Sequence, residues 1–103
     1  MGYNVIQLES LVISSGTTAS NALAINGREC IGIGAPSTVS STITVMVDQT
    51  GTTSWVTLQS PPGTDVEIAE GKAIVLTAIP FPRIQLQSST GEVGTRTFYV
   101  WQL

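Results

Sequence analysis

The chain predicts an all-β fold: an antiparallel β-sandwich of the jelly-roll or Greek-key type with about eight strands. Three observations predict it. Apolar and polar residues alternate with a period of two through most of the sequence, the pattern of a strand with one face buried. The alternating runs are rich in Val, Ile and Thr, whose branched side chains suit a pleated, half-buried surface. Turn residues punctuate the runs about every 8–12 residues, the spacing of a sandwich or barrel. A length of 103 residues suits one domain, residues 1–103, and not two.

The elements follow in chain order. Val5 to Leu8, Leu11 to Ser14, Ala22 to Ile25 and Glu29 to Ile33 are short candidate strands. Ser41 to Val47 is the strongest, with Ile43, Val45 and Val47 on one face and Thr42 and Thr44 on the other. Trp55 to Gln59 and Asp65 to Ala69 come next, then Ala73 to Ala78, Arg83 to Ser88 and Arg96 to Trp101. Val66 to Ala78 also fits a helix, but Gly71 and the run Ala73-Ile74-Val75-Leu76 favour strands. Turns fall at Asn26-Gly27, Gly34-Ala35-Pro36-Ser37, Thr50-Gly51, Pro61-Pro62-Gly63, Glu70-Gly71, Pro80-Phe81-Pro82 and Thr90-Gly91. Some short runs are expected to merge or to be loop.

Composition removes whole classes of function. The chain has no His and one Cys, Cys30. Ser-His-Asp and Cys-His catalysis are therefore impossible, and so are a zinc site of the usual ligands and an internal disulfide. Only 11% of residues are charged, against about 25% in a typical soluble domain. Ser and Thr, 25 residues together, take their place. The net charge is −3 and the four cations, Arg28, Lys72, Arg83 and Arg96, are scattered. Nucleic-acid binding draws on clustered Lys and Arg to neutralise phosphates, so no nucleic-acid partner is expected. No segment is long and apolar enough to span a membrane. The start, Met1-Gly2-Tyr3-Asn4, reads as neither a signal peptide nor a myristoylation site, since position 6 is Ile6.

Local motifs add little chemistry. Asp48-Gln49-Thr50-Gly51-Thr52-Thr53-Ser54-Trp55 is a distant relative of the Asp-box turn and reads better as a hairpin whose Asp and Gly set the turn. Ile31-Gly32-Ile33-Gly34 lacks the third Gly and the following helix of a dinucleotide loop. Asp65, Glu67 and Glu70 lie close together, and alternation puts Asp65 and Glu67 on one face, which reads as a solvated strand face opposite Val66 and Ile68. Cys30, at the head of an apolar run, reads as a small buried hydrophobe. The last strand, Phe98-Tyr99-Val100-Trp101-Gln102-Leu103, is apolar on both faces. Such a strand is central and covered, or lies against a partner. No cofactor, no metal and no enzymatic activity are expected.

Several features together resemble a family of small virion proteins of tailed bacteriophages. They are the segment Leu11-Val12-Ile13-Ser14-Ser15-Gly16-Thr17-Thr18-Ala19-Ser20-Asn21-Ala22-Leu23, the turn Ile33-Gly34-Ala35-Pro36, the Thr-rich strand with its Asp-x-x-Gly hairpin and Trp, the Pro-Gly loop, the strand Arg83-Ile84-Gln85-Leu86-Gln87-Ser88-Ser89 and Arg96-Thr97-Phe98. The resemblance runs from about Leu11 to Trp101 and is one of strand and turn texture. It implies a capsid decoration or cement protein that binds the outer capsid and reinforces contacts between major capsid protein subunits. The implied location is the virion surface, after synthesis in the host cytoplasm, and the implied assembly is a homo-oligomer, a dimer or a trimer.

The composition argues the same way. Sheet edges are normally guarded by Lys and other charges, and Lys72 is the single Lys here. A neutral Ser/Thr/Gln surface suits close apposition to other proteins, where an unpaired buried charge is costly. Docking contacts are expected at Arg28, Trp55, Phe81, Tyr99 and Trp101. The alternative is a carbohydrate-binding or host-adhesion module of a phage tail or fibre, with sugars stacked on Trp55, Tyr99 or Trp101.

Overall fold

The computed structural model describes residues 7–25, 30–77 and 79–102. Among them are nine strands and no helix: β1 (Gln7–Ile13), β2 (Leu23–Ala24), β3 (Cys30–Gly34), β4 (Ile43–Asp48), β5 (Trp55–Thr57), β6 (Glu67–Ile68), β7 (Ala73–Thr77), β8 (Arg83–Ser88) and β9 (Arg96–Gln102). Two antiparallel sheets form, one in the order β1-β9-β3-β7 and the other in the order β2-β8-β4-β5, with β6 also paired to β4. Successive strands β1 to β4 alternate between the sheets, as do β7, β8 and β9. This interleaving is the double Greek key of a jelly roll.

The count of nine fills eight positions. β5 pairs with Met46–Asp48 and β6 with Ile43 and Thr44, end to end along the same side of β4. They hand over at Val45, whose carbonyl accepts from the Leu58 N–H and whose N–H donates to the Val66 carbonyl, both at 2.9 Å. The expected strand Asp65 to Ala69 is thus cut to Glu67–Ile68, because β5 already occupies half of the β4 ladder. The two expected strands at the start are one: β1 runs unbroken through Glu9 and Ser10, in register with all of β9. Val5 and Ile6 lie outside the described residues.

The core is the inward half of each alternation. Leu11 and Ile13 of β1, Ile33 of β3 and Phe98 and Val100 of β9 are fully buried from one sheet. Ile43 and Val45 of β4 and Ile84 and Leu86 of β8 meet them from the other. Cys30 departs from the expectation of a buried hydrophobe. Ile31 and Ile33 take the inward positions of β3, so Cys30, Gly32 and Gly34 fall on the outer face, and Cys30 is half-buried there.

Candidate interaction surface

The outer face of the β1-β9-β3-β7 sheet carries what the core did not use. β9 lies between β1 and β3, sending Phe98 and Val100 inward and leaving Tyr99 and Trp101 outside, 55% and 50% exposed. Register sets their neighbours. Trp101 stands opposite Leu8 on β1 and Gly32 on β3, and Gly32 opposite Val75 on β7. One row across the sheet is therefore Leu8, Trp101, Gly32, Val75, with Leu8 51% and Val75 68% exposed. The next is Ser10, Tyr99, Gly34, Ala73. Neither row contains a charge. A Cβ on Gly32 would meet the Trp101 Cβ at 4.0 Å, an ordinary contact, so no clash demands glycine. What the two glycines provide is a shallow floor beside each ring.

The five residues expected to dock do not form one patch. Tyr99 and Trp101 share this face. Trp55 belongs to the other sheet, at the end of β5, where the Arg83 guanidinium lies 5.4 Å from its ring centroid, a cation–π distance. Phe81 is half-buried against the core and lines a cleft of about 320 Å³ with Leu58, Leu76 and Ile79. Arg28 lies outside the described residues.

Asp48 does far more than set a turn. Its side chain is buried, and its carboxylate accepts from the backbone N–H groups of Thr50, Gly51, Thr53 and Ser54 at 3.0–3.1 Å. The Arg83 Nε donates to Oδ2 at 3.1 Å and Nη2 donates to the same oxygen. Thr53 is held at φ +77°, left-handed space that a β-branched residue rarely enters. Burial works against ionisation, but the Thr53 N–H, the Arg83 guanidinium and the Thr50 and Ser54 N–H groups outweigh it and hold the carboxyl well below the ordinary range. Asp48, Arg83 and Trp55 thus form a clasp that fixes the β4–β5 hairpin.

Glu92, which follows the expected turn at Thr90-Gly91 and was not singled out in the sequence, builds a second clasp. Buried at 1% exposure, it accepts from the Ser40 N–H at 2.8 Å, the Ser88 hydroxyl at 2.6 Å and the Arg96 Nε at 2.9 Å. Burial raises its pKa, yet the Ser88, Ser40 and Arg96 hydrogen bonds leave it lowered. The lowered folded pKa means the stabilisation is full above the unfolded value, about 4.3, and is lost as pH falls below it. Glu92→Gln, which keeps the shape and removes the charge, is expected to lower the thermal midpoint at pH 7. At pH 3 the variant and the parent should lie closer together, as a pair of melting curves would show.

The acidic residues do not converge. Asp65 accepts from the Gln59 side-chain amide at 2.9 Å, Glu70 accepts from the Val39 N–H at 3.1 Å, and Glu67 projects into solvent from β6. Glu67 and Glu70 line an open hollow of about 500 Å³ beside Ser40 and Ser41. Among the described residues, no three metal-ligating side chains of the Cys, Asp or Glu type gather.

This architecture recurs in a prophage protein. The crystal structure of the SPBc2 prophage-derived protein YomS superposes over 99% of this chain and 97% of its own, with TM-score 0.70 and 5% identity. Peruvianin-I, a cysteine peptidase from Thevetia peruviana latex, aligns with 94% of this chain and 49% of its own, with TM-score 0.52 and 12% identity. The CENP-C cupin domain of Drosophila melanogaster aligns with 93% of this chain and 59% of its own, with TM-score 0.50 and 8% identity. At these identities the likeness is one of fold. No protein-family model and no curated protein sequence matches the chain.

Proposed function

We propose that the chain is a bacteriophage structural protein, a decoration or cement protein that docks on the outer capsid and strengthens contacts between major capsid protein subunits. The observation that carries this reading is the uncharged outer face with Leu8, Tyr99, Trp101 and Val75, each at least half exposed. Aromatic side chains on a face free of charge are the composition of an interface centre. The prophage origin of YomS, which shares the fold across the full length of both chains, supports the phage setting. A cement protein acts by mass action: binding the assembled shell and not its free subunits raises the shell's stability. No enzymatic activity is part of the proposal.

The test is direct. Purified protein is mixed with expanded capsids that lack it, and co-sedimentation and capsid melting temperature are measured. The expected result is saturable co-sedimentation with a higher melting temperature. If neither changes, the cement role fails. Binding to a glycan array without binding to the shell would instead support the adhesion alternative, in which Tyr99 and Trp101 stack on sugars.

A further inference from the structure

The four sheet edges are not guarded alike. In the β2-β8-β4-β5 sheet the edges are short, two residues in β2 and three in β5. Short edges offer little to pair with. β1 is long, but the Asn21 side chain covers part of it: its Oδ1 accepts from the Val12 N–H at 2.8 Å and its Nδ2 donates to the Ser10 carbonyl at 3.4 Å. β7 has neither device. Its five residues, Ala73-Ile74-Val75-Leu76-Thr77, carry no charge and no Pro, and among the described residues it pairs with β3 alone.

The ladder shows what that edge presents. The Ala35 N–H donates to the Lys72 carbonyl at 2.9 Å, so the alternating hydrogen-bonded pairs with β3 continue at Ile74 and Leu76. The backbone N–H and C=O groups of Ala73, Val75 and Thr77 then point away from the sheet. Ile74 and Leu76 occupy the inward positions yet stay half-buried, because the sandwich is open on this side. The cleft of about 320 Å³ opens beside them and is lined by Leu58, Leu76, Ile79 and Phe81 without any charged group.

We propose that β7 pairs antiparallel with β7 of a second copy across a two-fold axis at Val75. The strand fits itself. Val75 meets its own counterpart in a hydrogen-bonded pair, Ala73 meets Thr77 and Ile74 meets Leu76, so the outward backbone groups find partners and no like charges face each other. The two copies of Lys72 fall at opposite ends of the pair, roughly 20 Å apart at about 3.4 Å per residue. The partner's Ile74 comes to lie beside Leu76 at the mouth of the cleft, which gives each half-buried side chain an apolar neighbour. A two-fold interface repeats every contact twice. The pair joins two four-stranded sheets into one of eight strands and sets two Tyr99/Trp101 faces side by side, which would add avidity on a repeating shell. The self-pairing stands on the edge alone and does not depend on the capsid role.

Analytical ultracentrifugation of the full chain across micromolar to submillimolar concentrations tests it. The parent should show a concentration-dependent dimer. Val75→Pro removes the outward N–H at an edge position, where Pro is tolerated, and Val75→Lys adds a guarding charge without altering the backbone. Both should be monomeric while retaining the parent's circular dichroism, and Trp101→Ala should remain dimeric. In the parent, hydrogen exchange at the Val75 amide should slow as dimer forms and recover on dilution, a readout that needs no variant. A parent that is monomeric throughout would overturn the proposal. So would a dimer that survives both Val75 variants, a dimer lost in Trp101→Ala alone, or a Val75 amide whose exchange ignores concentration.

Discussion

Replacing Tyr99 and Trp101 together by Ala is expected to weaken binding to the capsid shell by roughly 100-fold or more while leaving the domain folded. The two rings lie on neighbouring positions of one strand face, about half exposed, with Leu8 and the Gly32 floor beside them. Central aromatic anchors of this kind cost about 2 kcal/mol or more each when truncated at an interface. Each such loss is roughly a 30-fold change in affinity. Contributions of adjacent anchors are not additive, which is why the expected product is set below the square of that factor. Stability moves little because the same strand is anchored from its other face: Phe98 and Val100 are fully buried and untouched by the change. Titrating the variant against expanded capsids, with a thermal melt of the free protein alongside, measures both effects. Undiminished shell binding by a folded variant would remove this face from the docking surface.

Trp55→Ala serves as the contrast. Trp55 is half-buried beneath the Arg83 guanidinium and lies in the opposite sheet. Its loss should lower the melting temperature, by an amount in keeping with about 1–2 kcal/mol for removing a partly buried aromatic and its cation–π contact with Arg83, and leave shell affinity unchanged. The two variants together separate an aromatic that holds the fold from a pair that faces outward.

The fold was legible in this sequence because its signal is local and repeated. Period-two alternation at Ile43, Val45 and Val47 and at Ile84 and Leu86 marks residues that all proved buried. A strand's two faces follow from its own residues, so no knowledge of its neighbours was needed. The sharing of β4 between β5 and β6 could not be read that way, since it depends on which strand reaches Val45. Tyr99 and Trp101 were expected as docking contacts, but Phe98-Tyr99-Val100-Trp101 is apolar on both sides, and what decides which side is outside is the packing of the core against Phe98 and Val100. The clasps around Asp48 and Glu92 were hidden for a different reason. Each carboxylate gathers donors from segments far along the chain, Arg83 in one case and Ser40 in the other. The run of small residues from Thr50 to Ser54 offered a partial signal, because successive N–H groups after an Asp invite its carboxylate.

Asp48→Ala is expected to be the most destabilising single change to a charged residue in the chain, and the reason lies in what it would leave behind. Four backbone N–H groups, those of Thr50, Gly51, Thr53 and Ser54, lose their shared acceptor. Arg83 keeps a half-buried charge with its partner gone, the situation in which breaking an ion pair costs most. Thr53 loses the hydrogen bond that helps hold its left-handed backbone at φ +77°. The β4–β5 hairpin then has no fixed turn, so Trp55 should become more accessible, visible as a red shift in its fluorescence in a background where Trp101 is replaced by Phe. The same carboxylate sets the acid limit of the fold. Its folded pKa is depressed, so its contribution is complete above the unfolded value of about 3.9 and drains away as pH falls below that toward the folded value. Acid unfolding of the parent should therefore begin below about pH 4, and Asp48→Ala, already without this contribution at pH 7, should show a flatter profile of melting temperature against pH across the acid range. An acid profile for Asp48→Ala as steep as the parent's would place the acid sensitivity elsewhere, on the Glu92 clasp first.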